Sequence, residues 1–225
     1  MKKAIKTVAY YATKCVTFIV FKLYFRLKFV GMERVPGKGG LLIAANHLSY
    51  ADPPVLGCVV PRRISFIMSE GQFMKPGLHF FSRLMDVIPV ATGASFKIGP
   101  FKKALHRLKR GGCLVIFPEG RRSATGRMLE GLPGLGKLAV RSGAPILPVA
   151  IVGTRDAYPV GSRFPKPKRV SVFVGTPLEC GRKEAPELIT SRTMEAIANL
   201  LIENGYSDYV KAPGETNERS AIPVS

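Results

Sequence analysis

The chain has 225 residues, enough for one domain with a full core. It carries 34 Lys and Arg against 15 Asp and Glu, a net charge of +19, which favours anionic partners: phospholipid surfaces, nucleic acid or an acidic carrier. The 46% apolar content tips this toward membrane over nucleic acid, and four cysteines without short paired spacing argue against a disulfide frame or a metal site.

Residues 1–31 are basic and apolar together. The longest uncharged stretch, Cys15 to Phe21, lies between Lys14 and Lys22. It falls far short of the roughly 20 apolar residues that a membrane span needs, so a span here requires the lysines to snorkel. Lys14 splits the apolar region and no small-residue cleavage site follows, unlike a signal peptide. Read as a helix, the stretch places Ile5, Ala9, Ala12, Val16, Ile19, Leu23, Leu27 and Val30 on one face. Phe18, Phe21, Tyr24 and Phe25 add apolar surface outside that stripe. An apolar stripe with basic flanks predicts a membrane-associating helix over 1–35, lying in the interface on the cytoplasmic face. The plainer alternative packs the stripe on the domain and leaves the lysines in water.

The domain proper is expected over 36–205, after the loop Pro36-Gly37-Lys38-Gly39-Gly40. Leu41 to Ala45 reads as a buried strand. It runs into Asn46-His47-Leu48-Ser49-Tyr50-Ala51-Asp52, and Pro53-Pro54 follows. A histidine past a strand end, with an acid five residues on, suits proton transfer: the carboxylate holds one ring nitrogen and frees the other. The bland reading is loop hydrogen bonding or a helix cap.

Further on, the pattern predicts a short helix at Val55–Val60, a strand at 63–68, a helix late in 71–84 and a strand at 87–90. Phe101 to Arg110 reads as an amphipathic basic helix with a solvated face, closed by Gly111-Gly112. His106 is expected on the surface, and His79 in packing or a surface hydrogen bond. Cys113 to Phe117 is another apolar strand, running into Pro118-Glu119-Gly120-Arg121-Arg122-Ser123. Two guanidiniums beside a glycine turn suit a phosphate, because each presents a planar fork of donors.

Glycines between 126 and 136 allow close approach of backbone or of an acyl chain. A helix at 137–141 and a strand at 145–152 follow. Residues 158–168 form a loop rich in proline and basic residues, near the lipid surface. A strand at 169–174, a helix at 184–203 and a polar tail at 206–225 complete the chain. The alternation predicts an α/β fold, a mostly parallel sheet flanked by helices, with the ends of strands 41–45 and 113–117 on one rim.

These stretches resemble the glycerolipid acyltransferase family, whose members acylate lysophosphatidate and related lysophospholipids. The first family block, Asn-His, four residues, then Asp, is matched by Asn46-His47 and Asp52. The third is matched by Phe117-Pro118-Glu119-Gly120-Arg121-Arg122-Ser123, with Arg121 at the variable place, and the fourth by Ile146-Leu147-Pro148-Val149. The resemblance spans about residues 35–175 and departs from the pattern at two places. The second block usually ends in an arginine after Ile-Pro-Val, but Ile88-Pro89-Val90 is followed by Ala91-Thr92-Gly93. Ser69 stands where a lysine is usual. Lys75, Lys97 and Arg121 are the cations available as substitutes.

The resemblance implies transfer of an acyl group from acyl-CoA or acyl carrier protein, as co-substrate, to the free hydroxyl of 1-acyl-sn-glycerol 3-phosphate. It implies no cofactor and no metal. His47 is then the general base and Asp52 its partner, with Asn46, Glu119, Gly120, Arg121, Arg122 and Ser123 on the substrate side. Glu119 has a structural alternative, accepting backbone N–H groups. The missing second-block arginine leaves room for another lysophospholipid or lipid hydroxyl. Two rivals differ in class. One is an acyl-enzyme on Ser49 or Ser123, neither of which sits in a Gly-x-Ser-x-Gly elbow. The other is a non-enzymatic basic protein that binds membrane or nucleic acid through charge alone.

Overall fold

The structure is a computed structural model, and it describes residues 2–69, 87–90, 98–159 and 162–210. Its helices are α1 (Lys2–Tyr24), α2 (Asp52–Val59), α3 (Ile98–Lys109), α4 (Gly134–Ser142), the short α5 (Thr154–Ala157) and α6 (Pro186–Glu203). Its strands are β1 (Lys28–Val30), β2 (Leu41–Ala45), β3 (Ile64–Ser69), β4 (Ile88–Val90), β5 (Cys113–Ile116), β6 (Ile146–Val152) and β7 (Ser171–Val174). The helix expected late in 71–84, and with it Lys75 and His79, lies outside the described residues. So do Ala91-Thr92-Gly93, Lys97 and the tail beyond 210.

The strands form one sheet in the order β1-β7-β6-β2-β5-β3-β4. From β6 to β4 every neighbour is parallel, whereas β7 runs antiparallel to β6 and β1 parallel to β7. This is the expected mostly parallel sheet, with two strands reversed at one edge. β2 sits in the middle and is buried throughout. Its alternation divides the core: Leu41, Ile43 and Ala45 face the layer of α1 and α2, while Leu42 and Ala44 face the layer of α3, α4 and α6.

α1 crosses the first layer from one rim of the sheet to the other. Near its start the Tyr10 hydroxyl accepts the N–H of Ile64, at the beginning of β3. One turn on, the Lys14 ammonium donates to the carbonyls of Val60 and Arg62, just past the end of α2. There a cation complements the negative end of the helix. At its far end Phe25 and Lys28 exchange backbone hydrogen bonds with Val170, just before β7.

The face that packs is not the predicted stripe. Tyr10 and, two turns on, Phe18, Phe21 and Phe25 turn inward, while Val8, Val16, Ile19, Val20 and Leu23 are exposed. Of the aromatic residues assigned to extra surface, Phe18, Phe21 and Phe25 are the inner face, and only Tyr24 is exposed. Leu27 belongs to the core and Val30 to β1, both past the end of the helix. Among the described residues no helix is long and apolar enough to cross a membrane.

Two other expectations shift. The glycines of 126–136 admit neighbouring protein: a Cβ on Gly136 would strike the Pro186 carbonyl, so this glycine brings α4 against α6. The expected tail begins as structure. Ser207–Tyr209 is a 3-10 turn, Tyr206 and Tyr209 pack on the core, and the Tyr209 carbonyl accepts the Met128 N–H. All four cysteines are free thiols; burial pushes Cys58 and Cys113 each up to about 12.

Candidate active site

The carboxyl ends of β2, β5 and β6 share one rim, because these three strands are parallel and adjacent. The His47 loop leaves β2 there, and the Glu119 loop leaves β5 beside it. Pro53 and Pro54 occupy the first turn of α2, where a missing N–H costs nothing. They start the helix at Asp52, three residues earlier than the sequence reading had it.

That start point places the carboxylate. Asp52 is fully buried at the α2 N-terminus, and its Oδ2 lies 2.8 Å from His47 Nδ1. The same oxygen accepts the N–H groups of Leu48 and Ser49, each at 2.8 Å. The loop is thus wrapped around the carboxylate, and the ring has one orientation available. His47 also stacks on Phe117, with ring centroids 4.1 Å apart and planes within 18°. With Nδ1–H given to Asp52, Nε2 is the nitrogen left with a lone pair. The imidazole is only 14% exposed, so it opens to the rim by an edge.

The neighbouring loop holds this one through its backbone. Glu119 Oε1 accepts the His47 N–H at 2.8 Å and Oε2 accepts the Leu129 N–H at 2.9 Å. The Ser123 N–H donates back to the His47 carbonyl at 2.9 Å. Burial pushes the Glu119 carboxyl up to about 8, outweighing the two backbone donors that lower it. Gly120 turns the chain at φ +68, and a Cβ there would lie 2.5 Å from Leu132 Cδ1.

The predicted site residues divide into two groups. Arg121 is exposed, and Arg122 lies over Tyr50 with its guanidinium carbon 3.6 Å from the ring centroid. Arg122 Nη2 donates to the Tyr50 hydroxyl at 2.9 Å, and Nη1 is buried without a partner among the described residues. Asn46, in contrast, is fully buried. Its amide donates to the Ile151 carbonyl at 2.9 Å and accepts the Ile151 N–H at 2.7 Å, tying β2 to β6.

Both serines are also committed. Ser49 Oγ donates to the Tyr158 carbonyl and accepts the Ala51 N–H. Ser123 Oγ meets Thr125 Oγ1 and accepts the Gly126 N–H. Each closes a local turn, and neither of the two bonds the imidazole.

Tyr50 has no assigned role in the sequence reading, although it lies inside the first motif. An aromatic residue three positions past a histidine carries no periodic signal. Only the approach of the third-motif arginine gives it a task. Arg155 is similar: it donates to the Thr125 carbonyl at 2.5 Å and the Ala124 carbonyl at 2.9 Å, pinning the end of the arginine loop.

The rim therefore carries a histidine–aspartate pair beside an arginine loop. The family model described as Acyltransferase matches residues 26–152, more than half of the sequence, and the chain belongs to that acyltransferase family. It is 26% identical over 141 residues to a 1-acyl-sn-glycerol-3-phosphate acyltransferase, chloroplastic, of Brassica napus, a match covering 62% of this chain and 41% of that one. With the 1-acyl-sn-glycerol-3-phosphate acyltransferase of Borreliella burgdorferi it shares 23% identity over 149 residues, covering 64% and 58%. The chain thus spans about two fifths of the length of the plant relative. A crystal structure of the lysophosphatidate acyltransferase from Thermotoga maritima has the same fold, with a TM-score of 0.77 at 24% identity, covering 91% of this chain and 83% of that one.

Proposed function

We propose that the protein transfers a fatty acyl group from an acyl thioester, on CoA or a carrier protein, to the free hydroxyl of 1-acyl-sn-glycerol 3-phosphate, giving phosphatidate. The observation that carries the reading is the 2.8 Å contact of His47 Nδ1 with Asp52 Oδ2 on the rim that also bears Arg122. His47 Nε2 takes the proton of the acceptor hydroxyl as its oxygen attacks the thioester carbonyl. The tetrahedral intermediate collapses with cleavage of the carbon–sulfur bond, and the imidazolium returns the proton to the leaving thiolate. Asp52 holds the ring and balances its transient charge. The hydroxyl attacks directly, without an acyl-enzyme. No cofactor takes part.

The unpartnered Nη1 of Arg122, with exposed Arg121 beside it, supports a phosphate on the acceptor. Asn46, Glu119, Gly120 and Ser123 act behind the substrate in this reading: Glu119 and Ser123 join the two loops, Gly120 turns one of them and Asn46 ties β2 to β6. The absent second-block arginine favours a second reading, in which the acceptor is another lysophospholipid or lipid hydroxyl with fewer charges than a phosphate monoester. The reaction runs on a membrane surface, on the cytoplasmic face. The exposed Val8, Val16, Ile19, Val20 and Leu23 of α1 support that location.

Purified protein offered both donors and a panel of lysophospholipids tests the reading. Phosphatidate formation that vanishes in His47→Ala is expected. Wild-type turnover of another lysophospholipid in place of lysophosphatidate selects the second acceptor, and no turnover of any acceptor removes the enzyme.

A further inference from the structure

The segment 162–169 leaves the same rim as the two site loops. It connects the carboxyl end of β6 to the start of β7, and Ser171 pairs with Val152 at that end. Its residues from Arg163 to Arg169 are all exposed, and Phe164 is exposed to 71%. Arg163 lies over the Phe164 ring, 5.6 Å from its centroid, and Lys166, Lys168 and Arg169 follow in the sequence, all exposed; a phenylalanine so open to water adds nothing to the core.

The backbone of this segment is held. The Lys166 N–H donates to the Ala157 carbonyl at 2.6 Å, and the Tyr24 hydroxyl donates to the Pro165 carbonyl at 2.9 Å. The second bond joins it to the last turn of α1, where Leu23 is 74% exposed. Arg26 and Lys28 follow in the chain, both exposed, and the Lys28 N–H donates to the Val170 carbonyl at the end of the basic segment. No acidic residue occurs before Glu33, and none between Asp156 and Glu179. The Tyr24 bond thus brings together two segments distant in sequence, each with an exposed apolar residue and exposed basic neighbours.

We propose that segment 162–169 is a second membrane anchor. In it Phe164 inserts among the acyl chains of an anionic phospholipid bilayer, and Arg163, Lys166 and Lys168 bind the headgroups. Charge complementarity selects this occupant. An acidic protein would satisfy the cations but leave Phe164 and Leu23 in water, whereas an anionic bilayer accepts both. The anchor also sets orientation. α1 alone lets the domain roll about the helix axis, but a second contact beyond its end fixes the rim toward the lipid. The Ser49 hydroxyl bond to the Tyr158 carbonyl ties the root of the segment to the His47 loop. The proposal rests on the acyl-transfer reading for its purpose, although the binding is measured without turnover.

The chain contains no tryptophan, so Phe164→Trp supplies a single indole reporter in the full-length protein. With vesicles of equal parts phosphatidylglycerol and phosphatidylcholine, its emission is expected to shift blue and to be quenched by brominated acyl chains. Leu188→Trp, on α6 in the opposite layer, is expected to do neither. In sedimentation with the same vesicles, Phe164→Ser is expected to weaken partitioning about tenfold. The triple variant Arg163→Gln, Lys166→Gln, Lys168→Gln is expected to weaken it on the order of a hundredfold. Both variants keep the wild-type melting temperature and the wild-type rate on a dispersed short-chain acceptor. Unshifted emission of Phe164→Trp, equal shifts at both reporters, or wild-type partitioning of both variants would overturn the anchor. Vesicle binding that depends on Phe164 in a protein that acylates nothing would sustain the anchor and remove the enzyme.

Discussion

Glu119 Oε1 accepts the backbone N–H of His47 at 2.8 Å, so the loop after β5 holds the histidine that the loop after β2 supplies. The Ser123 N–H donates to the carbonyl of the same residue, so His47 is gripped at both ends of its backbone from one neighbouring loop. The third motif thus positions the first, through an acid whose two oxygens accept backbone N–H groups.

The base and its partner separate in kinetics. In the proposed mechanism His47→Ala removes the base, and kcat is expected to fall about 10²–10⁴-fold with the acceptor KM little changed. Asp52→Asn keeps the ring but offers an amide where Nδ1, Leu48 and Ser49 donate. It is expected to lower kcat and the melting temperature together. Steady-state kinetics beside thermal melts tell the two variants apart.

Glu119 gives a pH signature. The folded carboxyl holds its proton up to about 8, whereas an ordinary glutamic acid releases it near 4.5. The folded state therefore binds more protons across that interval, and this contribution to stability is lost as pH rises through it. Glu119→Gln does not titrate, so the stability of wild type relative to the variant is expected to be greatest below about pH 4.5 and smallest above about pH 8. Urea unfolding at a series of pH values reads the difference, and a difference independent of pH refutes the shifted carboxyl.

Tyr50 positions Arg122 by its ring and its hydroxyl. A cation–π contact of this kind is worth about 0.5–2 kcal/mol, so Tyr50→Ala is expected to raise the acceptor KM about twofold to thirtyfold. Its kcat stays near wild type, because His47 and Asp52 are untouched. Tyr50→Phe keeps the ring and is expected to show a smaller rise. A fall in kcat with unchanged KM would place Tyr50 in the chemistry instead.

Gly120 occupies the left-handed region at φ +68, and a side chain there also meets Leu132. Gly120→Ala is expected to cost about 1–3 kcal/mol, read as a lower melting temperature. Adding Leu132→Ala relieves the contact but not the backbone strain, so the double variant recovers part of the loss. Full recovery would assign the whole effect to the contact.

The strand at Leu41–Ala45 was legible to the residue, because a short apolar run between a glycine loop and a polar motif has few alternatives. The histidine–aspartate pair was legible too, since both groups lie in one seven-residue loop. β1 was not: three residues pair with Ser171, Val172 and Phe173, far along the chain, and leave no local period. α1 misled because it has two apolar faces. A 3.6-residue period identifies each face, and nothing local says which meets the sheet.

The sequence by itself determined the chemistry available at the strand ends and the alternation that makes the sheet mostly parallel, because both are encoded in short spacings along the chain. Only the tertiary structure decided that Asn46 ties β2 to β6, that Glu119 holds His47, that Tyr50 takes Arg122 and that Tyr24 bonds the Pro165 carbonyl. Each of those is a contact between segments, fixed by the order in which the strands lie and by which side chains must find a hydrogen-bond partner once water has gone.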